Sequence, residues 1–212
     1  MARVRGWLTF ILLLGLVLWP GLCVADAARD CVVDISKALD NSDVQLFKAR
    51  VDVDQVIGQA IDVFLVEAKK PYIRNNLQPM LAIMLQQASS GEGAGQAIRA
   101  LLVKESRAFV LNGIATGAFA GKRVRPNVEQ GLLTPLFADA SIGRKEIIQI
   151  GEGQATDSGW IVPFTLLDGG NGSDYAIDGL IQETASGLKL TKIINLPDLF
   201  LQIQEEAEQF SR

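Results

Sequence analysis

The apolar residues of this chain keep one period up to about residue 143 and another from there to residue 195, and that switch limits the fold more than any other feature. Upstream they recur at every third and fourth position: Val32, Ile35 and Leu39, then Val56, Ile57, Ala60, Ile61, Phe64 and Leu65. Such spacing draws one stripe along an α-helix. Downstream the runs are short, β-branched or aromatic, and bounded by Gly, Ser and Asp. In GWIVPFTLL, residues 159–167, Trp160, Val162, Phe164 and Leu166 alternate with Ile161, Pro163, Thr165 and Leu167, the period of a strand. Helices first and strands afterwards predict an α+β domain, because each block must bury its apolar side against the other.

The expected layout is a single domain over residues 28–212: helices within 30–140, a four-stranded antiparallel meander within 144–196, and a closing helix over 197–210. The four candidate strands are EIIQIGEG, GWIVPFTLL, YAIDGLIQET and LKLTKIINL, and their short links make neighbours antiparallel. Pro163 has no amide hydrogen, which predicts an edge strand or a bulge. Ser42-Asp43-Val44-Gln45 has the form of a capping box and predicts a short helix. Asp52 or Asp54 caps the next helix, which ends near Lys69-Lys70. A further helix follows Pro79, ASSGEGAG reads as a flexible connector, and a longer helix starts at about Gly95. Pro126 suits the first turn of a short helix carrying Leu132, Leu133 and Phe137. Gly113, Gly117 and Gly121, four apart, point to close backbone packing on one helix face or to a loosened helix end.

The N-terminus reads as an export signal, residues 1–27. Arg3 and Arg5 precede an apolar core over residues 7–19; Pro20-Gly21 breaks it, and Cys23-Val24-Ala25 and Ala25-Asp26-Ala27 each offer a cleavage site. The expected location is the periplasm, with membrane contact through this segment alone. The alternatives are an uncleaved anchor over residues 7–25 and a lipoprotein on Cys23. Cleavage leaves Cys31 unpaired, so a disulfide framework does not hold the fold. A tolerated thiol, an intermolecular bridge and catalytic use are the readings for Cys31.

The chain has no histidine, which removes Ser-His and Cys-His catalysis and nearly all transition-metal sites. Its net charge is −4, from 20 basic and 24 acidic residues, and its one basic cluster is Lys122, Arg123 and Arg125. Nucleic acid is therefore not an expected partner. In LLDGGNGSDYAIDG, residues 166–179, Gly169 to Asp174 fit the start of a calcium-binding β-helix repeat. One copy makes half a site, so a hairpin is the expected reading, with a lone calcium on Asp168, Asn171 and Asp174 as the alternative. Asn171-Gly172-Ser173 also has the form of a glycosylation acceptor. Asp178 and Glu183 have opposite strand parity, which separates them as a carboxylate pair. No catalytic residue, metal site or cofactor is expected. Trp160, Phe164, Tyr175 and Asp178 are the residues placed to line a ligand cavity; the three aromatic ones are expected in the core, and serve both roles only if that core is hollow.

NSDVQLFKARVDVDQVIGQ resembles the D-x-x-x-[LF]-x-x-x-V-D-[FL]-x-x-V pattern of a bacterial domain-of-unknown-function family of exported proteins, with Val53 where Phe or Leu is expected. Residues 159–199 are similar to the sheet of nuclear transport factor 2-like cones, which end with a G-[WL]-K-[LV] turn as Gly187-Leu188-Lys189-Leu190 does. The second helix also resembles periplasmic phospholipid-carrier proteins. The resemblance covers roughly residues 34–200 and implies a cone with a concave apolar sheet face. The His-Asp pair of cone enzymes has no counterpart here.

The expected function is a non-enzymatic exported binding or accessory domain of the bacterial cell envelope, holding a lipid, another hydrophobic small molecule or an envelope-protein segment on that face. The alternatives are a periplasmic lipid carrier and a carboxylate enzyme using Asp178 with Tyr175 or a lysine.

Overall fold

A computed structural model of the chain describes residues 20–70, 82–83, 85–86, 92–123 and 143–210. The domain is α+β: five described helices lie with an open five-stranded antiparallel sheet. Helix α1 spans Pro20–Asn41, α2 Val44–Arg50, α3 Val53–Glu67 and α4 Glu92–Ala115. Strands β1 (Lys145–Ile150), β2 (Gln154–Thr156), β3 (Gly159–Asp168), β4 (Ser173–Thr184) and β5 (Gly187–Ile193) follow, and α5 (Leu196–Phe210) ends the described chain. The helical segment expected over residues 126–137 lies outside the described residues. So does most of the one after Pro79, of which residues 82–83 and 85–86 are helical.

The apolar stripe of α1 explains its position. Ala28, Cys31, Val32, Ile35, Ala38 and Leu39 recur at helical spacing, and all are buried. The helix closes with Ser42 in the left-handed region at φ 60°, where the amides of Ser42 and Asp43 reach back to the carbonyls of Leu39 and Ala38. This use of Ser42 corrects the capping-box expectation. Asp43 caps α2 instead, its side chain accepting from the amides of Gln45 and Leu46. Asp52 caps α3 in the same way through Gln55. Helix α4 starts at Glu92, so the second half of ASSGEGAG is helical and not connector.

Of the three spaced glycines only Gly113 lies in α4. The Phe119 ring packs where its Cβ would stand, and Phe119 meets Phe109 edge to face at 5.7 Å. Gly117 and Gly121 follow the helix with positive φ and unwind its end. Both readings of the triplet thus apply, each to a different glycine.

The sheet has the path β1-β3-β4-β5, with β2 beside β3. Four strands were expected; five form because a short strand, β2, follows the first candidate, residues 146–153. Ile150 pairs with Phe164 and Gln154 with Ile161, so the outer row carries one residue more than β3 between those pairs. Pro163 sits in that gap. Its carbonyl accepts from Gly151, on the side where its own amide hydrogen is missing. Strand β3 is interior, so Pro163 marks a break in its neighbour and not an edge.

One sheet face carries Trp160, Val162, Phe164, Leu166, Tyr175, Ile177 and Ile181, and α1 packs against it. Val162, Ile181 and Val32 are fully buried there, each burial contributing about 1.5–3 kcal/mol. Helix α3 lies on β5 and α5 on β4, with Phe64 and Phe200 meeting edge to face at 6.3 Å.

The sheet edge is closed by side chains. Gln59 donates to the Ile193 carbonyl and accepts from its amide, at 2.7 and 3.0 Å. Where β5 ends, Asn195 accepts from the Asp178 amide and donates to the Ala176 carbonyl, and Gln202 donates to the Asp174 carbonyl. These three amides stand in for a missing strand.

Candidate functional site

Two hairpins leave the sheet at the same end, and they share a turn. Thr156-Asp157-Ser158-Gly159 joins β2 to β3, and Thr184-Ala185-Ser186-Gly187 joins β4 to β5. In each, the threonine hydroxyl donates to the glycine carbonyl, at 3.0 and 2.7 Å, and accepts from the serine amide, at 3.4 and 3.2 Å. The turns therefore satisfy their own polar groups and need nothing packed on them.

Between these turns and the N-terminus of α3 opens a cleft of about 440 Å3. Trp160 forms an apolar part of its wall and Gln55, Gln182 and Thr191 a polar part. Thr191 is 3% exposed and donates to the Gln182 side-chain oxygen at 2.6 Å; the Gln182 amide donates to the Ser158 carbonyl at 2.7 Å. This relay fixes the Gln182 rotamer and ties β4 to the β2–β3 turn. Asp52, Asp157 and Glu183 also line the cleft, and among the described residues no lysine or arginine does. An uncharged or cationic polar ligand suits such a wall better than an anion.

Of the four residues expected to line a cavity, Trp160, Phe164 and Tyr175 share the core face and Asp178 lies on the opposite one, paired with Pro163. Trp160 alone reaches the cleft. Phe164 and Tyr175 are 7% and 8% exposed, inside the packing of α1 on the sheet. The register also keeps Asp178 and Glu183 on opposite faces. Gln55, Gln182 and Thr191 were missed by the sequence reading. The available signal was the repeated T-x-S-G turn, which places both hairpins at one end.

The glycine-rich stretch forms the β3–β4 hairpin at the other end. Its groups have partners within the fold. Asp168 pairs with Lys145 and accepts from the Gly170 amide at 2.8 Å, and Asn171 accepts from the Ser173 amide at 3.0 Å. Among the described residues no group of three metal-ligating side chains converges. Asn171 also donates to the Tyr175 hydroxyl at 2.8 Å, which donates to Glu206 at 2.7 Å. Burial and then the Glu206 contact raise the Tyr175 pKa. Burial works to raise that of Glu206, but hydrogen bonds from Tyr175, Gln202 and Ser173 outweigh it and leave Glu206 lowered.

Cys31 is 2% exposed, with its sulfur 3.4 Å from the Leu188 carbonyl. Burial pushes the thiol up to about 11, so it is a protonated core group, shielded from a partner chain. Among the described residues no helix is long and apolar enough to cross a membrane; residues 7–19 lie outside them. No family profile matches the chain, and no curated protein or solved structure matches it.

Proposed function

We propose that the chain is an exported, non-enzymatic binding or accessory domain of the bacterial cell envelope, and that its ligand occupies the cleft between the two T-x-S-G hairpins and α3. The observation that carries this reading is Trp160 set beside Gln182 and Thr191, side chains held in place by each other in an open cleft. Export and periplasmic location rest on the pattern of residues 1–27. Helices against one face of an antiparallel meander suit the cone-like arrangement of nuclear transport factor 2-like domains. On the described face, however, Val162 and Ile181 are fully buried, which favours the polar cleft over a hollow apolar interior as the binding place. The lack of histidine, the buried protonated thiol of Cys31 and the separation of Asp178 from Tyr175 all favour binding over catalysis.

The sequence supplies its own probe. Of Trp7, Trp19 and Trp160, only Trp160 remains once the export segment is removed, so intrinsic fluorescence reads the cleft directly. Titration with spermidine, a soluble oligosaccharide and dihexanoyl phosphatidylcholine separates three ligand chemistries. A saturable emission change with either polar probe, lost in Gln55→Ala, is expected. Unchanged emission with all three, together with an apo mass for protein taken from the envelope, would leave the cleft without a ligand. A response to the phospholipid alone would favour the carrier reading.

A further inference from the structure

Asn-Gly occurs twice in the chain, at Asn112-Gly113 and at Asn171-Gly172. An asparagine before glycine is the side-chain amide most open to attack by its own backbone, because no side chain on the next residue crowds the nitrogen. The fold treats the two copies differently. Asn112 lies inside α4, where the helix ladder commits the Gly113 amide, and Gly113 is buried beneath the Phe119 ring. Asn171 and Gly172 are exposed at a hairpin turn, where Gly172 has φ 77° and a Cβ would meet nothing within 4 Å. We propose that Asn171 is a modification site: it deamidates to aspartate or isoaspartate, at a rate set by the docking of α5.

In the reaction the Gly172 nitrogen gives up its proton and bonds to the Asn171 side-chain carbon. The bond from that carbon to Nδ2 breaks, and the nitrogen leaves as ammonia, taking up a proton in exchange. Water then opens the five-membered imide at either carbonyl, and nothing is oxidised or reduced. Each reacting group has a partner in the structure. The Gly172 amide donates to the Asp168 carbonyl at 2.7 Å, and the Ser173 amide donates to the Asn171 oxygen at 3.0 Å. Nδ2, the leaving group, donates to the Tyr175 hydroxyl at 2.8 Å and to Glu206 at 3.3 Å. The first two bonds belong to the turn itself. The Glu206 contact belongs to α5, where Gln202 fixes the carboxylate from one helical turn earlier at 3.0 Å. Glu206 is therefore a positioning residue: it resists the displacement of Nδ2 that ring closure requires. When the last turn of α5 leaves, that hold is lost, while the Ser173 amide stays to stabilise the oxygen as charge collects on it. The product cannot restore the network. A carboxylate has no donor for Tyr175 or Glu206, and its charge faces that of Glu206.

The test is peptide mapping of the folded, full-length chain held at mildly alkaline pH, with a urea-unfolded sample beside it. Unfolded, both Asn112 and Asn171 should convert. Folded, Asn171 alone should convert, more slowly than in urea, and several-fold faster in Glu206→Ala while Asn112 stays intact. Gln202→Ala, which frees Glu206 without removing it, should accelerate conversion in the same direction by less. No conversion at Asn171, or conversion at Asn112 first in the folded chain, overturns the assignment of the site. Equal rates at Asn171 in the parent and Glu206→Ala overturn the role of α5, as does an acceleration matched at Asn112, which is the mark of global unfolding.

Discussion

At one end of the sheet the turns of residues 157–158 and 185–186 rest mainly on their own hydrogen bonds; at the other, the turn of residues 169–172 makes such bonds too but is also held from several neighbouring elements. Lys145 on β1 pairs with Asp168, the Arg144 carbonyl accepts from the Gly169 amide, and Tyr175 and Glu206 hold Asn171. Self-satisfied turns leave the surface beside them open, and there the cleft forms. An externally held turn uses that surface for stability. The binding place and the anchored place thus differ in where the turn polar groups find partners, although both ends belong to the same strands.

A matched pair of glycines gives the largest effect. Gly143 and Gly187 have nearly the same backbone strain, φ 95° and 100°. A Cβ on Gly143 would lie under 3 Å from the backbone of Gly169 and Gly170, whereas one on Gly187 meets nothing within 4 Å. Gly187→Ala should cost roughly 1–2 kcal/mol, the left-handed penalty alone. Gly143→Ala should cost at least about 3 kcal/mol, because backbone has to move as well. Equal costs by chemical denaturation would break the comparison.

The next effect is pH-dependent. Glu206 is lowered in the folded state, so its contribution is present above its ordinary value of 4.5 and is lost as pH falls through the lower folded one. Tyr175 is raised, so its contribution is present below its ordinary value of 10.0 and is lost as pH rises through the folded value. Tyr175→Phe should cost about 1–2 kcal/mol at neutral pH and flatten both limbs of the stability profile. An unchanged profile would mean that the network does not anchor the turn.

The comparison of ends was only half legible in the sequence. Period alone gave the helix-to-strand switch near residue 144, the core face of β3 and the turn positions, because apolar spacing is a local signal. Asn195 and Gln202, which close the edge of β4, gave no such signal: an amide side chain reads as polar whatever it bonds. The extra strand β2, just beyond the first candidate, was also missed. Pro163 announced a missing amide, but only the register shows that the gap lies in the neighbouring row. The cleft was missed because Gln55, Gln182 and Thr191 are far apart in sequence and ordinary in type. Trp160 was singled out, but on the assumption of an apolar interior shared with Phe164 and Tyr175.

A smaller effect is expected at the cleft. Gln182→Leu breaks both links of the relay. Thr191, buried, keeps the Leu180 carbonyl at 3.3 Å as an alternative acceptor. The loss should therefore be about 1 kcal/mol, with an accompanying change in Trp160 emission. A loss of about 3 kcal/mol or more would show that this end, too, is held from outside.

The smallest effect tests whether the two hairpin turns are independent. Thr156→Val and Thr184→Val each remove one hydroxyl bond to a glycine carbonyl and leave a serine amide at a solvent-accessible turn. Each should cost about 0.5–1 kcal/mol, and by similar amounts, since the two turns make the same bonds at similar lengths. If each turn is self-satisfied, the double variant should equal the sum to within about 0.5 kcal/mol. Besides the β3–β4 ladder, the Gln182–Ser158 bond is a side-chain path by which the structure could couple them, because it joins β4, which leads into the second turn, to the first. A coupling above that margin that disappears in a Gln182→Leu background would assign the coupling to this bond. The cleft would then be a braced element, and its two hairpins would respond to a ligand together.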